Sequence, residues 1–157
     1  MNIYPSLINR LKTQHESIPV LIAGVNETGL ELNPVPNKWS IKDNIAHLAR
    51  CQVLFIERIN QILDYESPVF ERYNADIDPE FVTWQNRETR DLLAQLFIDR
   101  ETILTLIIEL QPDQLNRIGI HRKYGKMNIL EWTEFFLLHE AHHIFTIFQL
   151  VRSVEIS

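Results

Sequence analysis

The chain of 157 residues, 45% hydrophobic and 23% charged, has the make-up of an ordinary globule and can bury roughly two-thirds of the surface it would expose unfolded. Its formal charge of −6 excludes a general affinity for the phosphate backbones of nucleic acids, which depends on clustered Lys and Arg. One cysteine, Cys51, excludes an internal disulfide, and no run is apolar enough for a signal segment or a membrane span, so a cytoplasmic protein is expected.

Only four glycines interrupt the chain, and apolar residues recur at spacings of three and four, which predicts a single all-α domain over residues 1–157. The first helix is expected from Tyr4 to Val25, bent where Pro19 removes a hydrogen bond. Gly29, Pro34 and Pro36 then forbid helix and leave a long connection. Ser40 with Asp43 forms a capping-box pattern that opens a second helix, running to about Tyr65. Its stripe is Ile41, Ile45, Leu48, Phe55, Ile59 and Ile62, flanked by His47, Cys51 and Leu54. A polar linker follows, in which Asp78 before Pro79 signals a short turn. The third helix is expected over residues 86–110. A loop holding Gly119, His121, Tyr124 and Gly125 leads to Asn128, which with Glu131 caps a last helix reaching about Val154. No sheet-forming alternation is evident. Four long helices with long connections predict a four-helix bundle whose crossovers allow an order other than simple up and down.

The last helix carries Ile129, Trp132, Phe136, His139, His143, Thr146 and Leu150 at the spacings of a face turned to partner helices. Residues four apart differ by about 40° around a helix, so His139 and His143 can point at one ion. A third ligand must come from elsewhere, and His47, on the apolar flank of the second helix, is the best remaining imidazole. Three neutral nitrogens leave the ion its charge and an open position, the arrangement of a catalytic site. Zn and Ni suit imidazole best, with Fe and Mn as alternatives.

Each of these residues also has a plainer reading. A single His on an apolar stripe is more often a hydrogen-bonded core residue than a ligand. His15 is expected to be structural, His121 to be solvated in its loop, and Cys51 to be a small packing residue. His142 lies about 60° from His139 and 100° from His143, on a face with Phe135, Leu138 and Phe145. That face makes the last helix apolar almost all round, so either it is central or it also meets a second subunit in a homodimer. Residues 139–143 also spell H-E-x-x-H, in which Glu140 would be a general base. The match is read as coincidental, because zincins draw a third ligand from downstream and only 14 residues follow His143, with Glu155 in a frayed tail.

The chain resembles the DinB-like superfamily, which includes bacterial YfiT-like metal proteins and thiol-dependent S-transferases. The resemblance rests on residues 37–43, Asn-Lys-Trp-Ser-Ile-Lys-Asp, leading to Ala46-His47-Leu48, and on residues 125–131, Gly-Lys-Met-Asn-Ile-Leu-Glu, leading to His139-Glu140-Ala141-His142-His143. It implies an up-up-down-down bundle, often dimeric, with a metal on positions that match His47, His139 and His143. Many relatives carry a glutamine in an H-x-x-Q arrangement where this chain has Thr146.

Three functions follow as expectations. In the first, the metal stabilises a low-molecular-weight thiol as thiolate for transfer to an electrophile, as in some relatives. In the second, metal-activated water hydrolyses a small ester or amide, with Glu140 or a neighbour handling the proton. In the third, the protein is a non-enzymatic, stress-related binding module whose metal serves stability.

Overall fold

A computed structural model describes residues 2–154. In chain order its elements are α1 (Pro5–Thr13), a 3-10 turn (Gln14–Glu16), α2 (Ser17–Leu21), α3 (Glu27–Glu31), α4 (Ile41–Asp64), β1 (Val69–Phe70), a 3-10 turn (Ala75–Ile77), α5 (Phe81–Gln85), α6 (Thr89–Glu109), α7 (Pro112–Leu115), β2 (Ile118–His121), β3 (Gly125–Asn128) and α8 (Ile129–Ser153). Glu155, expected in a frayed tail, lies outside the described residues.

Four rods form the bundle: α1 with α2, then α4, α6 and α8. The two longest begin where their caps dictate. Ser40 Oγ accepts from the Asp43 amide while Asp43 accepts from the Ser40 amide, and Asn128 and Glu131 repeat the exchange at the start of α8. The first rod breaks at its 3-10 turn instead of bending at Pro19. The missing Pro19 amide and its ring disturb the turn around the carbonyl of His15, four residues earlier, where the break falls. The third rod starts at Thr89, not at Asn86, because Asn86 is the C-cap of the short helix α5 and Glu88 the N-cap of α6.

Two apolar clusters fill the bundle and fix the directions of the rods. One holds Leu7 and Leu11, the C-terminal halves of α4 and α6 (Phe55 to Ile62, Ile103 to Ile107) and the N-terminal half of α8. The other holds Ile18, the N-terminal halves of α4 and α6 (Ile41 to Ala49, Leu92, Leu96) and Ile147 and Val151 of α8. So α1 and α8 run one way and α4 and α6 the other, giving up-down-down-up where up-up-down-down was expected. A parallel α4 and α6 pair requires the chain to return along the bundle, and residues 65–88 make that crossover.

A three-stranded sheet, ordered β1-β2-β3, closes one end, against the expectation of no strands. The strand β2 pairs in parallel with β1 and antiparallel with β3, in the register Ile120 to Val69 and Gly119 to Met127. Its inward residues are Gly119 and His121, not the two isoleucines, so the apolar alternation is inverted. Gly119 faces in because a Cβ there would lie 2.7 Å from Ile62 Cδ1 and 2.9 Å from Trp132 Nε1. No described helix is long and apolar enough to cross a membrane.

Candidate metal centre

The N-terminal half of α4 and the middle of α8 run antiparallel and place His47, His139 and His143 together. Ring centroids are 4.4 Å apart for His47 and His143, 4.7 Å for His139 and His143, and 5.1 Å for His47 and His139. His47 Nε2 lies 3.2 Å from His139 Nε2 and 3.5 Å from Cys51 Sγ, one turn further along α4. The tightest grouping of donor atoms is His47, Cys51 and His139, all within 4.8 Å of one another, with the His143 ring beside it.

The tautomer of His143 follows from its neighbour. Asn44 Nδ2 donates to the Ser40 carbonyl at 2.8 Å, so Asn44 Oδ1 faces His143 Nδ1, 2.9 Å away, and must accept from it. The proton therefore sits on Nδ1, and Nε2 keeps its lone pair. This is the outer hydrogen bond that orients a metal-ligating imidazole. Asn44 is a buried amide three residues before His47. A polar residue inside the stripe of the second helix was the one sequence signal that marked it.

Aromatic rings enclose the histidines. Trp39 lies 4.9 Å from His47 and 6.0 Å from His143, and Tyr73 stacks on His47 at 5.5 Å. Tyr73 comes from the crossover, which α4 pins in place: Arg50 Nε donates to Asp78 Oδ2 at 2.9 Å, and the Tyr73 hydroxyl donates to the same oxygen at 3.0 Å. Burial in this shell, then the neighbouring imidazoles, hold the histidines neutral. The pKa falls to about 3 at His143 and lower still at His47. At His139 burial, followed by His142 and Arg58, brings it to about 4. Burial acts oppositely on Cys51, pushing its thiol up to about 12. The imidazoles thus stand ready as ligands, whereas Cys51 keeps its proton.

The donor set fits a divalent cation. Two imidazole nitrogens sharing a tetrahedral ion at 2.0 to 2.1 Å lie about 3.3 Å apart, close to the separation of the two Nε2 atoms. With a cation on Nε2, the His47 ring would carry its proton on Nδ1, which makes no hydrogen bond among the described residues.

Glu140 is not part of this centre. It is fully buried on the other side of α8, paired with Arg100 Nη2 and accepting from Gln14 Nε2 at 2.9 Å. The general-base role allowed for it in hydrolysis is therefore corrected, and H-E-x-x-H is a coincidence of spelling. His15 is structural as expected, its Nδ1 3.3 Å from Arg100 Nη1. His121 is a correction: it is 2% exposed instead of solvated, and its ring borders the cavity that opens from the histidines. Its loop could be expected to lie over a site, but the strand that turns the ring inward was itself unexpected. His142 is exposed at the rim of that cavity, 5.3 Å from the His143 ring. The cavity has a volume of about 610 Å³, within the range of small-molecule sites.

The sequence profile of the DinB superfamily matches residues 10–147. The chain belongs to the DinB superfamily. Among DinB relatives it is similar to a protein of Oceanobacillus iheyensis named "Putative metal-dependent hydrolase", 21% identical over 140 residues that cover 87% of this chain and 79% of that one. In fold it is similar to YfiT of Bacillus subtilis, described as "a probable metal-dependent hydrolase with an unusual four-helix bundle topology". That likeness has a TM-score of 0.80 at 18% identity and covers 97% of this chain and 90% of YfiT. A second DinB-like protein of Bacillus subtilis, YjoA, gives a TM-score of 0.63 at 19% identity, covering 94% of this chain and 90% of YjoA. For this DinB chain the shift of the histidine pKa values sets a pH dependence. Their folded values lie below the unfolded value of 6.5, so the stability they contribute is complete above pH 6.5 and is lost as pH falls towards 4 and below. Denaturant unfolding of chelator-treated protein should lose about 1.4 kcal/mol per pH unit for each such group over that window, and a flat profile from pH 7 to 4 would contradict the buried neutral state.

Proposed function

We propose that the chain acts as one domain that holds a divalent cation on His47, His139 and His143 and uses it to transfer a low-molecular-weight thiol to a small electrophilic substrate. The observation that carries the metal is the approach of two Nε2 atoms to 3.2 Å inside a shell that keeps all three rings neutral, with His143 Nδ1 anchored on Asn44. Zn and Ni are the preferred ions, with Fe and Mn as alternatives. When bound, such an ion supplies the positive charge that takes a thiol to its thiolate or lowers the pKa of water.

The choice of thiol over water rests on Glu140. Hydrolysis needs a base beside the reacting oxygen, and the one carboxylate adjacent to the histidines in sequence is committed to Arg100 and Gln14. A thiol is acidic enough to need no such base once a cation is near it. The chain's residues then orient the reactants: Trp39 and Tyr73 wall the histidine end of the cavity, and His142 at the rim can exchange a proton with solvent. Hydrolysis of a small substrate is the second reading, favoured by what the relatives of Oceanobacillus iheyensis and Bacillus subtilis are named for. A buried lone thiol fits a reducing compartment such as the cytoplasm.

The exposed apolar stripe of α8, with Leu138, Phe145 and Phe148, supports a homodimer that packs α8 against its copy, as a second copy is the one partner that brings an equal stripe. Sedimentation equilibrium should give a dimer for the native chain and a monomer for Phe145→Glu; a native monomer at tens of micromolar overturns the assembly.

Elemental analysis after loading should find one ion per chain, and His47→Ala and His143→Ala should each bind at least about tenfold more weakly. With the three histidines as the ligands, the cobalt-loaded protein should lack a sulfur-to-cobalt charge-transfer band; a band abolished by Cys51→Ser would make Cys51 a ligand. With a panel of cellular thiols and a model electrophile, the loaded protein should exceed the spontaneous rate and the chelated protein should not. Ester cleavage without thiol transfer would favour water as the nucleophile.

A further inference from the structure

The cavity that opens at the histidines extends along α4 to a second polar end, which the centre described above does not use. Its charged lining residues are Arg58, Arg72 and Asp76, so its wall is net positive in a chain of charge −6. Arg58 is the distinctive one. It lies eleven residues beyond His47 on the same helix, roughly 16 Å along the axis, and its side chain leans back towards the histidines as helical side chains do. Among the described residues no carboxylate pairs with it; its one hydrogen bond, at 3.3 Å, goes to the carbonyl of Glu71. The guanidinium is instead held between rings, 5.7 Å from the centroid of Phe70 and 5.6 Å from that of Trp132. Burial lowers its pKa. A half-buried guanidinium without a counter-ion is costly unless something negative arrives.

His121 stands beside it. Its Nδ1 accepts from the amides of Lys123 and Tyr124 at 3.0 and 3.3 Å, so the proton of the neutral ring is on Nε2, and no protein acceptor takes it among the described residues. The β-hairpin thus aims a fixed N–H donor into the cavity next to a fixed cation. Phe135 and Tyr124, 5.4 Å apart, supply apolar surface between this end and the histidines.

We infer that Arg58, with His121, forms an anion subsite that binds the carboxylate or phosphate of an elongated small molecule whose other end reaches the histidines. The inference rests on the proposed metal site only for what happens at that other end; the anion subsite stands without it. The subsite orients one of the reactants, and Arg58 is a binding residue, not a catalytic one.

The test uses the full chain after chelation, so that no carboxylate can bind an ion directly. The probes are 3-phenylpropionate, phenyl phosphate and the neutral 3-phenylpropionamide, followed by tryptophan fluorescence, since Trp39 and Trp132 border the cavity. At least one anion should bind tenfold or more tightly than the amide, and which anion does so tells carboxylate from phosphate recognition. Arg58→Met should remove the preference, and Arg58→Lys should keep part of it. Equal binding of acid and amide by the native chain overturns the subsite, as does a preference that survives in Arg58→Met. Ion binding that is unchanged in His143→Ala, with the anion preference intact, would sink the metal site and leave the subsite standing.

Discussion

The structure depends on a buried ion pair. Arg100 of α6 and Glu140 of α8 are both fully enclosed, and the guanidinium also donates to Gln52 Oε1 at 3.1 Å and to the Leu11 carbonyl at 3.3 Å. Every rod therefore contributes a partner, and the cost of desolvating two charges is offset by a network that satisfies them. Removing one member leaves the other charge unpaired, at a cost of about 3 to 5 kcal/mol. The pair also sets the rotation of α8. With Glu140 turned to Arg100, His139 and His143 lie about 100° and 60° around to one side, where α4 brings His47. A buried charge that looks like a catalytic base is thus what aims the two histidines.

Charge separates the two functions of the interior. The structural network is ionic and closed, whereas the cavity is lined by imidazoles, aromatic rings, the guanidinium groups of Arg58 and Arg72 and the single carboxylate of Asp76. The chain as a whole is acidic, so the local positive field at the cavity runs against the global one.

Much of this was legible because it is local. The caps at Ser40 and Asn128, the stripe of α4, and the pairing of His139 with His143 on one helix face follow from spacing, whereas His47 joined them as the best remaining imidazole and through the family resemblance. What was not legible is set by tertiary contact. The direction of the rods depends on which halves pack together, and the resemblance alone suggested a different order. The strand β2 hides behind an inverted alternation, with Gly119 inward because Ile62 and Trp132 fill the space a side chain would need. His121 was misplaced for the same reason. The role of Glu140 was not legible either, because a buried pair with Arg100, 40 residues away, leaves no mark on either helix alone.

Whether three rings from two helices share one cation decides the proposed function. Anomalous diffraction at the metal edge from crystals of the loaded protein measures this directly. One peak within about 2.2 Å of a ring nitrogen from each of His47, His139 and His143 is the predicted result. A peak elsewhere, or none at full loading, would contradict it.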